Sequence, residues 1–320
     1  MQSMTVTGEP ALEKPVVPES AGSRNRTALA KRQAGAARVF VAPNLLAVAL
    51  FMVFPLGFSL YLSFQRWDMF GPLRFAGLEN FRRLLTGDPL FLIALRNTVV
   101  FTVGTLIPTV VIGLAIAATL NRRIRGIGIF RTVLFLPLAV SSVVMAVVWR
   151  FVFDTNNGLL NIMIGWLGIG PVPWLVDPRW AMVSLCVVSI WRSVPFATVV
   201  LLAAMQGVPE SLYEAAKIDG AGEIQRFFSI TLPLIRGALS FVLVVSVINS
   251  VQAFDQVYVL TGGHGGPETG TYVFGIMIFQ NAFAFGDVGY ASAIAWVIFV
   301  ILLALTVAQL RFTRKNSPEG

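Results

Sequence analysis

The feature that most constrains the fold of this chain is a series of six long segments that are almost free of charged residues. A helix needs about 20 mostly apolar residues to cross the hydrocarbon core of a bilayer, so each segment is a candidate transmembrane helix. Only the fourth segment contains a charged residue, Arg192. The pattern predicts an all-α membrane protein with six transmembrane helices, at residues 39–65, 97–120, 132–149, 180–206, 237–254 and 288–310.

The composition agrees with this prediction and narrows the chemistry. Only 12% of the residues are charged, whereas a soluble domain needs roughly 25% to cover its surface, so much of this surface is expected to face lipid. The chain has one cysteine, Cys186, which excludes a disulfide framework. It also has one histidine, His264, which argues against a dedicated zinc or haem site. We therefore expect no catalysis on a bound metal.

The positions of lysine and arginine predict how the spans are oriented, because these residues are enriched on the cytoplasmic side. If the N-terminus is cytoplasmic, most of the 24 basic residues fall on the inner side. The outer segment 66–96 opposes this bias with five arginines, whereas the outer segment 257–287 has none. We expect a multi-pass membrane protein with both termini in the cytoplasm.

Four segments are expected along the chain. Residues 1–38 lack apolar periodicity, which predicts a disordered, basic cytoplasmic tail. Residues 39–96 would hold the first transmembrane helix and an outer segment, residues 97–311 the main transmembrane domain, and residues 312–320 a second cytoplasmic tail. Within the main domain, the apolar stretch 271–285 is too short to span and predicts a re-entrant or interfacial helix.

The cytoplasmic segment between the fourth and fifth spans is expected to form two short helices joined by a tight bend. Pro209 is expected as the first helical residue, and Glu210 favours the positive N-terminal end of that helix. Gly220 is expected to end the helix in the left-handed conformation. A second helix is predicted at 222–229, until Pro233 redirects the chain into the fifth span. The alternative is a solvated amphipathic loop.

This segment, residues 207–235, resembles the signature loop of ABC-importer permeases. The signature is Glu-Ala-Ala, three residues, Gly, nine residues, then Ile-x-Leu-Pro, and every fixed position is present here, with a common Asp-Gly-Ala form around the glycine. The resemblance implies a type I ABC-importer permease fold, in which the loop is the coupling helix that sits in a groove of a cytoplasmic ATPase. The ATPase-coupling residues would be Glu214, Ala215, Ala216, Asp219, Gly220, Ala221, Ile230, Leu232 and Pro233.

Further motifs resemble the carbohydrate-uptake branch of that family, which includes the maltose and glycerol-3-phosphate permeases. The outer segment contains Gly-Leu-Glu-Asn-Phe at 77–81, and Phe-Asp at 254–255 precedes Tyr-Val-Leu-Thr-Gly-Gly at 258–263. One departure is His264, which interrupts the Gly-Gly-Gly-Pro sequence usual in that branch. We expect it to be a loop residue rather than a ligand. The resemblance implies transport of a sugar or sugar-like solute, such as an oligosaccharide or a glycerol phosphate, across a bacterial or archaeal cytoplasmic membrane.

Two sets of residues are candidates for the substrate path. Asn249, Gln252 and Gln256 fall at i, i+3 and i+7, which places three amides on one helical face. Such amides could line a path for a hydroxylated solute or form a hydrogen-bond seam between helices. In the similar maltose-type permeases, a matching Trp-x-x-x-Pro-aromatic segment lines the substrate site with the polar stretch of the fifth span. The resemblance therefore adds Trp191, Arg192, Ser193 and Phe196.

The source of energy is expected to lie outside this chain. The sequence contains no Gly-x-x-x-x-Gly-Lys-Ser/Thr phosphate-binding loop, so we expect a membrane subunit without its own ATPase site and without a cofactor. The resemblance implies a second homologous permease, two cytoplasmic ATPase subunits that bind ATP and magnesium, an extracytoplasmic substrate-binding protein and contact with membrane lipid, but no nucleic acid.

The alternative function is ion-coupled secondary transport, which would need coupling carboxylates near the middle of the membrane. None of the six predicted spans contains Asp or Glu, and Asp255 lies just beyond the fifth.

Overall fold

The computed structural model describes residues 40–121 and 127–315. The predicted N-terminal tail, the basic residues at 122–125 and the last five residues of the chain lie outside the described residues. The chain divides into two units, one ending at Phe58 and one beginning at Ser59. Among the described residues, the first unit is the larger part of the first helix, and the second unit contains every other element.

The described residues are mainly helical, with one short antiparallel hairpin in which Gln65 pairs with Phe75. The strands are β1 (Gln65–Arg66) and β2 (Arg74–Phe75). The helices are α1 (Phe40–Ser63), α2 (Glu79–Arg82), α3 (Pro89–Leu120), α4 (Ile127–Ala139), α5 (Ser142–Val152), α6 (Leu159–Gly165), α7 (Pro178–Gln206), α8 (Glu210–Ile218), α9 (Glu223–Leu234), α10 (Arg236–Val251), α11 (Asp255–Leu260), α12 (Phe274–Ala284) and α13 (Val288–Lys315).

Four of the predicted spans are confirmed as single helices, α1, α3, α7 and α13, each long and apolar enough to cross a membrane. Helices α3 and α7 begin earlier than predicted because each starts at an Asp-Pro pair. Asp88 accepts a hydrogen bond from the Leu90 amide and Asp177 accepts one from the Arg179 amide, while the proline occupies the first helical position. An aspartate cap followed by proline is a favoured helix start, because the proline lacks an amide that would need a partner.

The third predicted span, 132–149, is wrong as a continuous helix. The chain bends by 103° between α4 and α5. Ser141 adopts an extended conformation, with φ −59° and ψ 140°, which ends one helix and starts the next. The arm formed by α5 packs against α11, and Ser142 Oγ donates a hydrogen bond to Asp255. These tertiary contacts, rather than a local breaker, hold the bend.

The fifth predicted span also differs at its N-terminal end. Helix α9 continues through Pro233 to Leu234, and the 70° bend falls at Ile235, before α10. A π-helical turn at Phe227–Thr231 precedes the proline, just as a π-helical turn at Ala49–Val53 precedes Pro55 in α1. In both places the proline falls in the first turn after the π-turn, where its missing amide hydrogen disrupts the helix least.

The interior of the second unit is organised around α3 and α7, which pack along each other. Gly113 permits this close approach, because a Cβ there would lie 2.9 Å from the Cβ of Ala197. The helix predicted at 271–285 is confirmed as α12, and Phe274, Ile276 and Met277 are buried in the same core as Phe101 and Leu185. The predicted re-entrant or interfacial position of α12 stays a prediction.

Candidate functional site

A polar cavity of about 320 Å³ lies between α3, α5, α7 and the junction of α10 with α11. Its lining is dominated by hydroxyl, amide and charged side chains, which is unusual between apolar helices and marks a candidate path for a polar solute. The lining residues are Phe101, Thr105, Ser142, Ser189, Arg192, Ser193, Asn249, Ser250, Gln252, Ala253, Phe254, Asp255 and Gln256.

Five of the seven residues predicted for the substrate path line this cavity, namely Arg192, Ser193, Asn249, Gln252 and Gln256. The other two lie elsewhere in this conformation. Trp191 lies in an apolar pocket outside the cavity and contacts Trp149 edge to face, with ring centroids 5.9 Å apart. Phe196 contacts Phe241, with ring centroids 6.4 Å apart.

The three predicted amides do not share one continuous helix. Helix α10 ends at Val251, and Phe254 has φ −135° and ψ −65° before α11 begins. The break still brings all three amides to the cavity, and Gln256 Nε2 donates to Ser189 Oγ over 2.8 Å. Gln256 therefore lines the cavity and also forms a hydrogen bond between helices, so it fits both the solute path and the interhelical seam.

A cation and an anion face the same cavity. Arg192 comes from α7, and Asp255 is the first residue of α11. Asp255 Oδ2 accepts a hydrogen bond of 2.8 Å from Ser142 Oγ. Neither Arg192 nor Asp255 forms a direct ion pair with another described residue.

Several lining residues were missed by sequence reasoning. Phe101 and Thr105 lie one turn apart on α3, and they reach the cavity only because α3 packs along α7. Ser142 reaches it because of the bend between α4 and α5. Asp255 carried a usable signal, since it is an acidic residue directly beside an apolar span.

The predicted left-handed end of the first loop helix is confirmed at Gly220, where φ is +79°. The Ala221 amide donates to the Ala216 carbonyl over 2.9 Å, and the Gly220 amide donates to the Lys217 carbonyl over 3.1 Å. These two bonds form a Schellman motif, which satisfies the last carbonyls of α8. The predicted start is wrong by one residue, because Pro209 is extended, with ψ 130°, and acts as the N-cap.

Helix α8 presents most of its surface to solvent, and none of its residues is buried. Ile218 is 87% exposed and Leu212 is 42% exposed, so apolar side chains lie on an open helical surface. The helix is held to α9 by a hydrogen bond of 2.8 Å between Tyr213 Oη and Thr231 Oγ1.

The remaining predicted coupling residues continue this surface. Glu214 lines a separate cavity of about 710 Å³ between α8, α9 and the C-terminal ends of α3 and α7. Ala215, Asp219, Gly220 and Pro233 are exposed, whereas the half-buried members are Ala216, Ala221, Ile230 and Leu232.

His264 lies in the loop that follows α11, between glycines with positive φ. Its side chain is exposed, as expected for a loop residue. Among the described residues there is no cluster of three or more His, Cys, Asp or Glu side chains that could hold a metal ion.

The chain is similar in sequence to membrane components of known transport systems. Residues 109–317 match the family described as "Binding-protein-dependent transport system inner membrane component". The chain is 35% identical to a trehalose/maltose transport system permease protein of Thermococcus litoralis, over 88% of this chain and 95% of the relative. It is 34% identical to a sulfoquinovosyl glycerol transport system permease protein of Agrobacterium fabrum, over 86% of this chain and 89% of the relative.

The fold also matches a solved structure. A chain of a bacterial alginate ABC transporter, in complex with an alginate pentasaccharide-bound periplasmic protein, aligns with a TM-score of 0.78. The alignment covers 90% of this chain and 97% of that chain, at 22% sequence identity, and therefore supports a common fold.

Proposed function

Because this chain belongs to the family of inner membrane components of binding-protein-dependent transport systems, we propose that it is the permease subunit of an ATP-driven importer for a sugar or sugar-like solute. The observation that carries the proposal is the polar cavity between apolar spans. Relatives that are about one-third identical carry trehalose and maltose or sulfoquinovosyl glycerol, all of which are rich in hydroxyl groups.

The chemistry of the cavity suits a hydroxylated solute. A hydroxyl group both donates and accepts hydrogen bonds. Asn249 and Gln252 can do both in return, while Arg192 only donates and an ionised Asp255 only accepts. Phe254, which is half-buried, also lines the cavity and can contact the apolar face of a sugar ring, whereas Phe101 is fully buried in the cavity wall.

The positions of the seven predicted substrate residues refine this proposal. In the conformation of the structure, we place Arg192, Ser193, Asn249, Gln252 and Gln256 in contact with the solute. Trp191 and Phe196 would contribute only if the helices rearrange, as alternating access between the two sides of the membrane requires.

The exposed loop around α8 is the proposed contact with the motor. The chain contains no phosphate-binding loop, so ATP and magnesium would bind to two partner ATPase subunits in the cytoplasm. The open apolar surface of α8, with Ile218 and Leu212 exposed, fits a helix that inserts into a groove on such a partner. Residues 207–235 would then transmit ATPase closure to α10.

The other partners and the orientation follow from the same proposal. A second homologous permease would complete the pore, and an extracytoplasmic binding protein would deliver the solute. The matched alginate transporter was solved in complex with a periplasmic protein. Both termini and α8 would face the cytoplasm, with residues 97–311 forming the main transmembrane domain.

Site-specific crosslinking tests the coupling loop. A Cys186→Ala chain carrying Ile218→Cys is labelled with a benzophenone maleimide in membranes that contain the whole complex. We expect ultraviolet light to join this chain to the ATPase subunit. The matched control is Phe312→Cys, which is also exposed but lies near the end of α13. No crosslink at Ile218, or equal crosslinking at both sites, would contradict the assignment.

A separate measurement distinguishes the alternative function. Solute uptake driven by a proton or sodium gradient into vesicles without the ATPase would favour an ion-coupled secondary transporter.

A further inference from the structure

The outer hairpin, residues 65–75, ends in a tip with a defined shape. Asp68 Oδ1 accepts hydrogen bonds from the amides of Phe70 and Gly71, at 3.2 and 2.6 Å. These bonds lower the pKa of Asp68, because they stabilise its charged form. Trp67 Nε1 donates to the Gly71 carbonyl over 3.1 Å, which closes the turn from the other side.

This ordered tip exposes large apolar side chains. Phe70 is 96% exposed and Phe75 is 80% exposed. Met69, Leu73 and Leu78, on or just beyond the hairpin, are also exposed. Several large apolar side chains exposed within one short segment usually mark contact with a protein or with a membrane.

The position of the hairpin favours the membrane. It begins two residues after α1 ends at Ser63, and Asn80 Nδ2 donates to the Ser63 and Gln65 carbonyls over 2.9 Å each. On the other side, the Val288 amide at the start of α13 donates to the Trp67 carbonyl over 3.1 Å. The base of the hairpin therefore lies level with the outer ends of two spans, at the depth where lipid headgroups begin.

The hairpin also belongs to elements that do not line the candidate substrate path. Its main packing is against α13, and α2 packs against α13 as well. The lining of the 320 Å³ cavity comes from α3, α5, α7, α10 and α11 with the residues that join the last two, and it includes no residue of the hairpin, α2 or α13. A binding protein that delivers solute to the cavity is therefore a less suitable partner for this tip than lipid.

The charges around the tip suit lipid phosphates. Arg66 pairs with Glu79. Arg74 and Arg82 form no such close ion pair among the described residues, although the charge of Arg74 helps to lower the pKa of Asp68 in the same tip. Both belong to the outer arginines that oppose the cytoplasmic bias of positive charge. Arginine beside aromatic side chains at the edge of a span is typical of a segment that lies in the interface, where the guanidinium binds phosphate.

We propose that the outer hairpin is an interfacial anchor, whose tip enters the headgroup layer of the outer leaflet while Arg74 and Arg82 bind lipid phosphates. The anchor would hold the outer ends of α1 and α13 at a constant depth. The proposal depends on the spans crossing a membrane and on the orientation given above, and not on which solute is carried.

Depth measurements with a spin label test the anchor. The full chain with Cys186→Ala and Phe70→Cys is labelled and reconstituted into vesicles of phosphatidylethanolamine and phosphatidylglycerol. Collisions with oxygen, which concentrates in lipid, are compared with collisions with a water-soluble nickel chelate. We expect a ratio of oxygen to nickel collisions several-fold higher than for the matched control Asn157→Cys, which is exposed in another loop.

Two outcomes would overturn the proposal. One is an oxygen-to-nickel ratio at residue 70 equal to that at residue 157. The other is a label at residue 70 that is open to the nickel chelate until the binding protein is added, which would assign the tip to a protein contact.

A second comparison tests the arginines. Arg74→Gln combined with Arg82→Gln should reduce the oxygen-to-nickel ratio at residue 70, whereas Arg179→Gln, an exposed arginine at the start of α7, should leave it unchanged. An unchanged ratio in the double variant would overturn the phosphate contacts.

Discussion

Replacement of Gly220 is predicted to weaken the coupling between ATP hydrolysis and transport. Gly220 has φ +79° and forms the left-handed end of α8. A Cβ at this position would have no atom within 4 Å, so a substitution causes no collision. The cost is therefore conformational alone, and an L-residue in this region costs ~1–2 kcal/mol relative to glycine.

This cost acts directly on the two hydrogen bonds that end α8, the Ala221 amide to Ala216 and the Gly220 amide to Lys217. A change of ~1–2 kcal/mol alters the ratio of intact to frayed helix ends by roughly 5- to 30-fold. Gly220→Asn should cost least, because asparagine tolerates the left-handed region, and Gly220→Val should cost most, because its β-branched side chain is the most restricted. Gly220→Ala should lie between them.

The assay measures ATP hydrolysis and solute uptake in the same proteoliposomes that contain the complete importer. We expect uptake per ATP hydrolysed to fall in the order glycine, asparagine, alanine, valine, with the chain inserted normally. The matched control is Gly222→Ala, since Gly222 has φ −68° and also has open space around its Cα. Normal coupling in Gly220→Val, or an equal loss in Gly222→Ala, would show that the left-handed end of α8 does not control coupling.

Three further predictions concern packing, the cavity and pH. Gly289→Ala should destabilise the protein by ~1–3 kcal/mol, because the new Cβ would collide with the carbonyl oxygen of Gln65. The control Gly237→Ala, where a Cβ has open space, should have no such effect. Thermal unfolding in detergent measures both variants. Asp255→Ala removes the group that accepts the Ser142 hydrogen bond and that would accept from solute hydroxyls. The solute concentration at half-maximal uptake should rise by roughly 10- to 100-fold, the equivalent of about 1.5–3 kcal/mol. An unchanged concentration would count against a solute contact. Burial and, to a lesser extent, the nearby Asp88 charge raise the pKa of Tyr272 from 10.0 to about 12. The neutral side chain therefore contributes its full share of stability below pH 10, and this share is lost as the pH rises towards 12. Tyr272→Phe should remove that part of the alkaline loss of thermal stability.

Much of the helical framework follows from local sequence alone. Apolar length is sufficient to predict α1, α3, α7 and α13, because a span must satisfy its own backbone hydrogen bonds in lipid. The Schellman end at Gly220 was also predictable, since glycine is the residue that reaches the left-handed region without steric cost.

The bend between α4 and α5 was not predictable from the same signals. The sequence Ala-Val-Ser-Ser at 139–142 contains no glycine, proline or charge, and a helix could continue through it. The bend depends on where α5 packs, against α11, and on the hydrogen bond from Ser142 to Asp255. Contacts between residues more than one hundred positions apart are decided by the tertiary fold.

In the candidate site, too, some features follow from local sequence and others depend on tertiary packing. Asn249, Gln252 and Gln256 all line the cavity, but the single helical face on which periodicity placed them is interrupted after Val251. Periodicity assigned no role to Phe101, because an aromatic residue on an apolar helix usually belongs to the core. Only the packing of α3 along α7 brings this ring to the cavity wall.

Uptake into proteoliposomes is the direct test of an ATP-driven importer for sugars. The purified complex containing this chain is reconstituted with its binding protein, and entry of radiolabelled trehalose, maltose and lactose is measured with and without ATP on the cytoplasmic side. We expect accumulation of at least one of these sugars only when ATP and the binding protein are both present. Accumulation without ATP, driven by a proton or sodium gradient, would contradict this expectation.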